Sequence, residues 1–164
     1  MKTIRVLVII PARAGSKGLR GKNIRKLAGV SLLVHAINLA LRCKTTREEW
    51  TVVVSTDSPR YRDIARKAGA LVPFLRDRKL AGDRARLIDV VLDALDHMEA
   101  SSGPFDAVIQ LTPTTPLTLP SDVRRALACF RKTGVSVASV VREEIPDSWR
   151  FSMRRGRLIQ CFPQ

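Results

Sequence analysis

The chain alternates short apolar runs with longer amphipathic stretches. Ile4–Ile10 is apolar at almost every position and reads as a buried strand. Residues 31–43 repeat apolar positions with helical spacing and read as a helix. Thr51–Ser55 reads as a second strand, closed by the turn Thr56-Asp57-Ser58-Pro59. Residues 60–68 read as a helix that stops at Gly69. A longer helix is predicted from Asp83 or a neighbour to about Ala100, where Ser101-Ser102-Gly103-Pro104 breaks it. A strand at 107–111, a helix at 122–132 capped by Ser121, and a strand at 135–141 complete the alternation.

Short apolar strands separated by amphipathic helices predict an α/β fold: a mostly parallel sheet with helices on both faces. Ligands of such sheets sit at the carboxyl ends of the strands. Three segments fall there: the loop after Ile10, the turn after Ser55, and Leu111-Thr112-Pro113-Thr114-Thr115-Pro116. They are expected to converge on one cleft. After Val141 the pattern changes. Residues 149–153 and 158–162 flank Arg154-Arg155-Gly156-Arg157 and read as a β-hairpin with a basic turn.

Charge sharpens this picture. The net charge is +14, and every charged residue before Glu48 is Lys or Arg. Such a face favours anions: nucleotide, acidic sugar, nucleic acid or anionic lipid. The cations concentrate in the first loop, where Arg13, Lys17, Arg20 and Lys22 alternate with Gly15, Gly18 and Gly21. Between a strand and a helix, small residues let backbone N–H groups approach phosphate oxygens while the cations neutralise them. The bland reading is a glycine-rich connection with solvated cations. Neither GxxxxGK[ST] nor GxGxxG is present, so the loop is neither a P-loop nor a dinucleotide fingerprint. Aromatic interleaving is sparse, so a nucleic-acid partner is not expected.

Cys43, Cys129 and Cys161 lack metal-ligand spacing and read as reduced, unrelated thiols. His35 and His97 have no Cys or His at ligand spacing. Asp57 and Asp83 read as a turn-forming residue and a helix cap. No metal ligand is assigned. No apolar run reaches the ~18 residues of a membrane helix, and Val6–Pro11 is too short for a signal-peptide core. A cytoplasmic location without membrane contact is the expectation.

IIPARAGSKGLRGKN resembles the N-terminal signature of the N-acylneuraminate cytidylyltransferases, or CMP-sialic acid synthetases. Ser31–Ile37, Val54-Ser55-Thr56-Asp57, Pro73-Phe74-Leu75-Arg76 with Leu80-Ala81-Gly82-Asp83, and Ile88–Leu92 extend the resemblance. Thr112-Pro113-Thr114-Thr115-Pro116-Leu117 is similar to the family's QPTSPL element. The resemblance implies a nucleotide-diphospho-sugar transferase-like fold and a reaction of CTP with an acidic nine-carbon sugar. The products would be a CMP-sugar and pyrophosphate, with Mg²⁺ assisting. Ala12, Arg13, Gly15, Ser16, Lys17, Lys22, Asn23 and Arg76 would bind the nucleotide. Arg13 and Lys22 would be catalytic, Lys22 at the α-phosphate, and Arg76 would lie near the cytosine. Thr112 and Thr114 would bind the sugar. Residues 1–142 would form the nucleotide-binding domain. Residues 143–164 would begin a dimerisation excursion, cut off within or after it, of a homodimer.

The chain departs from that pattern at Thr112, Thr118 and Leu87, where Gln, Arg and a base-reading Ser are usual. Arg84 and Arg86 also stand where small or acidic residues are common. The family's later Asp-x-Asp pair has no counterpart here. The alternative reading is therefore a truncated or degenerate, catalytically silent nucleotide-binding or dimerising homologue.

Overall fold

Val6 to Ile10 can be apolar at every position because β1 (Ile4–Pro11) is the middle strand of its sheet and is covered on both faces. The structure is a computed structural model. It describes residues 3–16, 18–82 and 84–140, and the backbone of 151–154 and 157–160. The chain forms two compact units, residues 1–125 and 126–164.

In the first unit, β1 pairs in parallel with β4 (Glu48–Ser55) on one side and β5 (Ala107–Gln110) on the other. The β1–β4 register runs from Ile4 opposite Glu48 to Pro11 opposite Ser55. That register brings the ends of both strands level, so the loops after them start side by side. Helix α1 (Leu32–Cys43) makes the crossover from β1 to β4. Helices α2 (Pro59–Lys67), α3 (Arg78–Ala81) and α4 (Leu87–Ser102) lie between β4 and β5. The expected parallel sheet with helices on both faces is therefore present.

Strand period divides the core. Leu7 and Ile9 of β1 point to one face, where they pack with Val53 and with Val91, Ala94 and Met98 of α4. α1 buries Leu33, Ala36, Ile37 and Ala40 and packs on β1 and β4. Ser31 Oγ accepts the Val34 N–H at 3.4 Å, and Ser58 Oγ accepts the Tyr61 N–H at the same distance, so both helices start on a hydroxyl cap.

Between β1 and α1 the chain makes a small hairpin of β2 (Lys26–Leu27) and β3 (Val30–Ser31), which the apolar pattern does not announce. Its two-residue loop, Ala28-Gly29, has positive φ at both positions, 49° and 81°. That is the signature of a type I′ turn, and alanine is a strained occupant of its first position.

Several sequence-based boundaries move. β4 begins at Glu48, three residues before the expected Thr51, because its ladder with β1 continues to Ile4 opposite Glu48; Arg5 Nε also lies 3.6 Å from the Glu49 carboxylate. α4 begins at Leu87, so the stretch around Asp83 does not start it. Arg86 is extended there, and its guanidinium grips Asp89 of the first turn at 2.8 and 3.0 Å. α5 (Pro120–Thr133) already includes Ser121, which is therefore not its cap. Instead, the Asp122 carboxylate reaches back to the Leu119 N–H at 3.1 Å. The strand predicted at 135–141 is not formed: residues 135–140 carry no regular structure, and Val141 lies outside the described residues. Apolar alternation supplies a face but not a ladder, and no described strand pairs with this segment. In the second unit, β6 (Phe151–Arg154) and β7 (Arg157–Gln160) form the antiparallel hairpin anticipated around the basic turn.

Two outcomes follow from this packing. Ile9→Ala, at a fully buried position of the central strand, should cost about 2–5 kcal/mol in urea unfolding. Ala28→Gly should raise stability by about 0.5–1 kcal/mol in the same measurement, since glycine meets no penalty at positive φ.

Candidate functional site

β1, β4 and β5 end at the same edge of the sheet, and the chain segments leaving them form the walls of a cleft of about 530 Å³. The segment after β1 supplies Arg13, Ser16, Gly18, Leu19, Lys22 and Asn23 to its lining. Arg76, Leu80, Gly82, Ala85, Leu87 and Val90 come from the stretch between β4 and the first turn of α4. Thr112, Pro113 and Thr114 follow β5. The convergence expected from the three carboxyl-end loops is thus present.

Hydrogen bonds from the end of β4 and from the loop itself hold the first segment. The Ala12 N–H donates to the Ser55 carbonyl at 2.9 Å and adds a last rung to the β1–β4 ladder. Two residues on, the Ala14 N–H donates to Asp57 Oδ1, also at 2.9 Å. Asn23 is buried, and its Nδ2 donates to the Arg13 carbonyl at 3.0 Å, tying the far end of the loop to its start. Gly21 makes this return possible with φ of 65°, where a side chain would be strained.

Arg76 is the one charged side chain counted as buried among the described residues, 6% exposed. Its Nε donates to Ser55 Oγ at 3.0 Å, its Nη2 donates to the Ser55 carbonyl, and its backbone N–H donates to the Thr56 carbonyl at 2.8 Å. Burial pulls its pKa down from the ordinary arginine value, while the charges of Asp57 and Asp93 pull it up and Arg13 pulls it down again. Both Arg13 and Arg76 line the cleft, so it carries two guanidinium groups whose charges repel. An anion between them would relieve that repulsion.

Arg13 also donates from Nη1 to the Ala81 carbonyl at 3.3 Å, which links the loop after β1 to α3. The opposite character comes from Leu19, Leu80, Ala85, Leu87, Val90 and Pro113, an apolar lining beside the cations. On the third segment, the Thr112, Thr114 and Thr115 hydroxyls bond to one another at 3.3 Å and hold the turn that presents Thr112 and Thr114.

Arg13, Ser16, Lys22, Asn23, Arg76, Thr112 and Thr114, all singled out from the sequence, therefore share one cleft. Ala12 is fully buried and Gly15 stands open to the surface; neither lines it. Lys17 and Asp83 lie outside the described residues. Sequence reasoning reached Leu87 of the apolar wall, at a position where a base-reading Ser is usual, and missed Ala85 and Val90. Leu80 and Gly82 fell within a recognised motif, but nothing in their spacing marked them as facing a ligand.

A family model described as cytidylyltransferase matches residues 7–146. The chain is 42% identical over 158 residues to the CMP-N,N'-diacetyllegionaminic acid synthase of Legionella pneumophila, covering 96% of this chain and 67% of that one. It is 36% identical over 159 residues to the pseudaminic acid cytidylyltransferase of Campylobacter jejuni, with the same coverage of 96% and 67%. Against the N-acylneuraminate cytidylyltransferase of Escherichia coli the identity is 33% over 145 residues, covering 87% of this chain and 33% of that one. Among solved structures, a CMP:2-keto-3-deoxy-manno-octonic acid synthetase complexed with CTP aligns with a TM-score of 0.63 at 25% identity. That alignment covers 79% of this chain and 48% of the other, so this chain spans about half the length of that solved relative.

The buried guanidinium makes a stability prediction. Arg76→Ala should destabilise the chain by about 2–4 kcal/mol in urea unfolding, because it removes charge-assisted bonds to both oxygens of Ser55. Arg76→Lys should recover less than half of that, since an ammonium cannot span two acceptors as a planar fork does.

Proposed function

The chain belongs to the cytidylyltransferase family, and on that premise we propose that it forms the nucleotide-binding part of an enzyme that joins CTP to an acidic nine-carbon sugar. The products are a CMP-sugar and pyrophosphate. The observation that carries this reading is the cleft itself, in which Arg13, Lys22 and Arg76 stand beside an apolar wall. A nucleoside triphosphate has the same division, three charged phosphates on one side and a flat base on the other.

In the reaction, a sugar hydroxyl oxygen forms a bond to the α-phosphorus, its proton passes to solvent, and the bond from the α-phosphorus to the α–β bridging oxygen breaks. Negative charge grows on the α-phosphate oxygens and on departing pyrophosphate. Cations held in place before the reaction stabilise that charge without reorganisation. In this reading Lys22 sits at the α-phosphate and Arg13, with its planar fork, at the β- and γ-phosphates. Ser16 and Lys17 complete the phosphate contacts, while Thr112 and Thr114 face the sugar. The residues from Leu80 to Val90 enclose the base. Leu87 offers that base no hydrogen bond, so cytosine selectivity falls to Arg76, to backbone groups and to shape.

Mg²⁺ would accompany the nucleotide and neutralise its phosphates. Among the described residues no group of three or more His, Cys, Asp or Glu side chains is arranged to hold a metal. Beside nucleotide phosphates, Mg²⁺ needs only one or two protein carboxylates, and the steps above are derived for Arg and Lys alone. No helix among the described residues is long and apolar enough to cross a membrane, and CTP is a cytoplasmic metabolite, which favours that compartment. The β6–β7 hairpin, with residues 143–164 around it, is in this reading the start of a dimerisation element, and residues 1–142 are the nucleotide domain. Leu87 also favours a second reading, a nucleotide-binding homologue without turnover.

Titration calorimetry separates these readings. The chain should bind CTP with Mg²⁺ at least tenfold more tightly than ATP, and Lys22→Ala should weaken CTP about tenfold. Equal affinity for the two nucleotides, or none for either, would overturn the cytidylyl reading. Selective binding with pyrophosphate release on addition of a nine-carbon sugar acid would exclude the silent homologue.

A further inference from the structure

We propose that Asp57 is a positioning residue for the anion-binding loop, acting as a hydrogen-bond acceptor and not as a metal-binding carboxylate. This rests on the reading of the cleft as a polyphosphate site.

Asp57 is two residues beyond the end of β4, and its Oδ1 accepts the N–H of Ala14. Ala14 is the second residue past the last ladder rung, which is the Ala12 N–H to the Ser55 carbonyl. Asp57 thus supplies a rung where the backbone of β4 has already turned away. The next bond along the loop is local, from the Ser16 N–H to the Ala14 carbonyl at 3.0 Å. The direction in which Ser16 enters the cleft is therefore set at Ala14, and Ala14 is held from across the fold by Asp57.

The charge of Asp57 serves the buried Arg76 and is separate from its bond to Ala14. Asp57 is absent from the cleft lining, and its charge acts on Arg76. A carboxylate close to a polyphosphate site repels the ligand unless a cation intervenes, and among the described residues Asp57 belongs to no cluster of three or more His, Cys, Asp or Glu side chains. What the geometry uses is one oxygen lone pair at a fixed place. An asparagine at this position keeps that oxygen and removes the charge.

Asp57→Asn and Asp57→Ala separate the two roles. The readouts are amide hydrogen exchange at Ala14 in the free chain and binding of inorganic tripolyphosphate by calorimetry without divalent cation. The acceptor role predicts that Asp57→Ala speeds exchange at Ala14 and weakens tripolyphosphate, each about tenfold. Asp57→Asn should keep slow exchange and bind tripolyphosphate as tightly as the unaltered chain, or a few-fold more tightly. A tenfold loss in Asp57→Asn would overturn the proposal even if Asp57→Ala fails to fold, and so would unaltered affinity in a folded Asp57→Ala. If the unaltered chain binds tripolyphosphate but does not prefer CTP to ATP, the cytidylyl reading falls while the Asp57 contrast still supports this one. If it binds no tripolyphosphate, there is no anion for the loop to be positioned for, and the proposal falls.

Discussion

The carbonyl of Ser55, the last residue of β4, takes two donors at once: the Ala12 N–H from the strand beside it and the Arg76 guanidinium from the segment below α4. A carbonyl oxygen has two lone pairs, and here both are committed. One fixes where the loop after β1 departs, and the other fixes a buried charge at the cleft wall. The positions of Arg13, Ser16 and Lys22 on one side, and of Arg76 on the other, are thus referred to a single backbone group. That group is itself placed by the uninterrupted pairing from Ile4–Glu48 to Pro11–Ser55.

Electrostatics and packing meet at this point. A guanidinium is expensive to bury, and the cost is offset only when its donors are matched. Arg76 meets Ser55 through two of them, with the charges of Asp57 and Asp93 nearby. The result is a cation whose position does not depend on solvent, in contrast with Lys22 on the opposite loop. A cleft that combines a fixed charge with a freer one can hold an anion that changes shape.

Most of the sheet was legible in the sequence because its signal is local. Val6 to Ile10 and Val52 to Val54 are apolar without interruption, and only strands covered on both faces are built that way. The glycine- and cation-rich loop was legible for the same reason: its chemistry is concentrated in a few consecutive residues. What escaped was long-range. Nothing near Asp57 announces that its partner is Ala14, and nothing near Ala85 or Val90 marks them as walls of a cleft rather than parts of a core. The strand expected at 135–141 failed in the reverse sense. Its residues alternate well enough, but pairing is a property of two segments, and periodicity reports on only one.

Neighbouring residues of α4 serve different masters. Val90 lines the cleft, while Val91 belongs to the cluster with Leu7, Ile9 and Val53. A helix turn is rigid, so the two faces cannot move independently. The breadth of the pocket is consequently gauged by the girth of the aliphatic side chains beneath the helix. A lineage could then retune the width of the cleft by exchanging Val, Ile and Leu in the interior, leaving every lining residue unchanged.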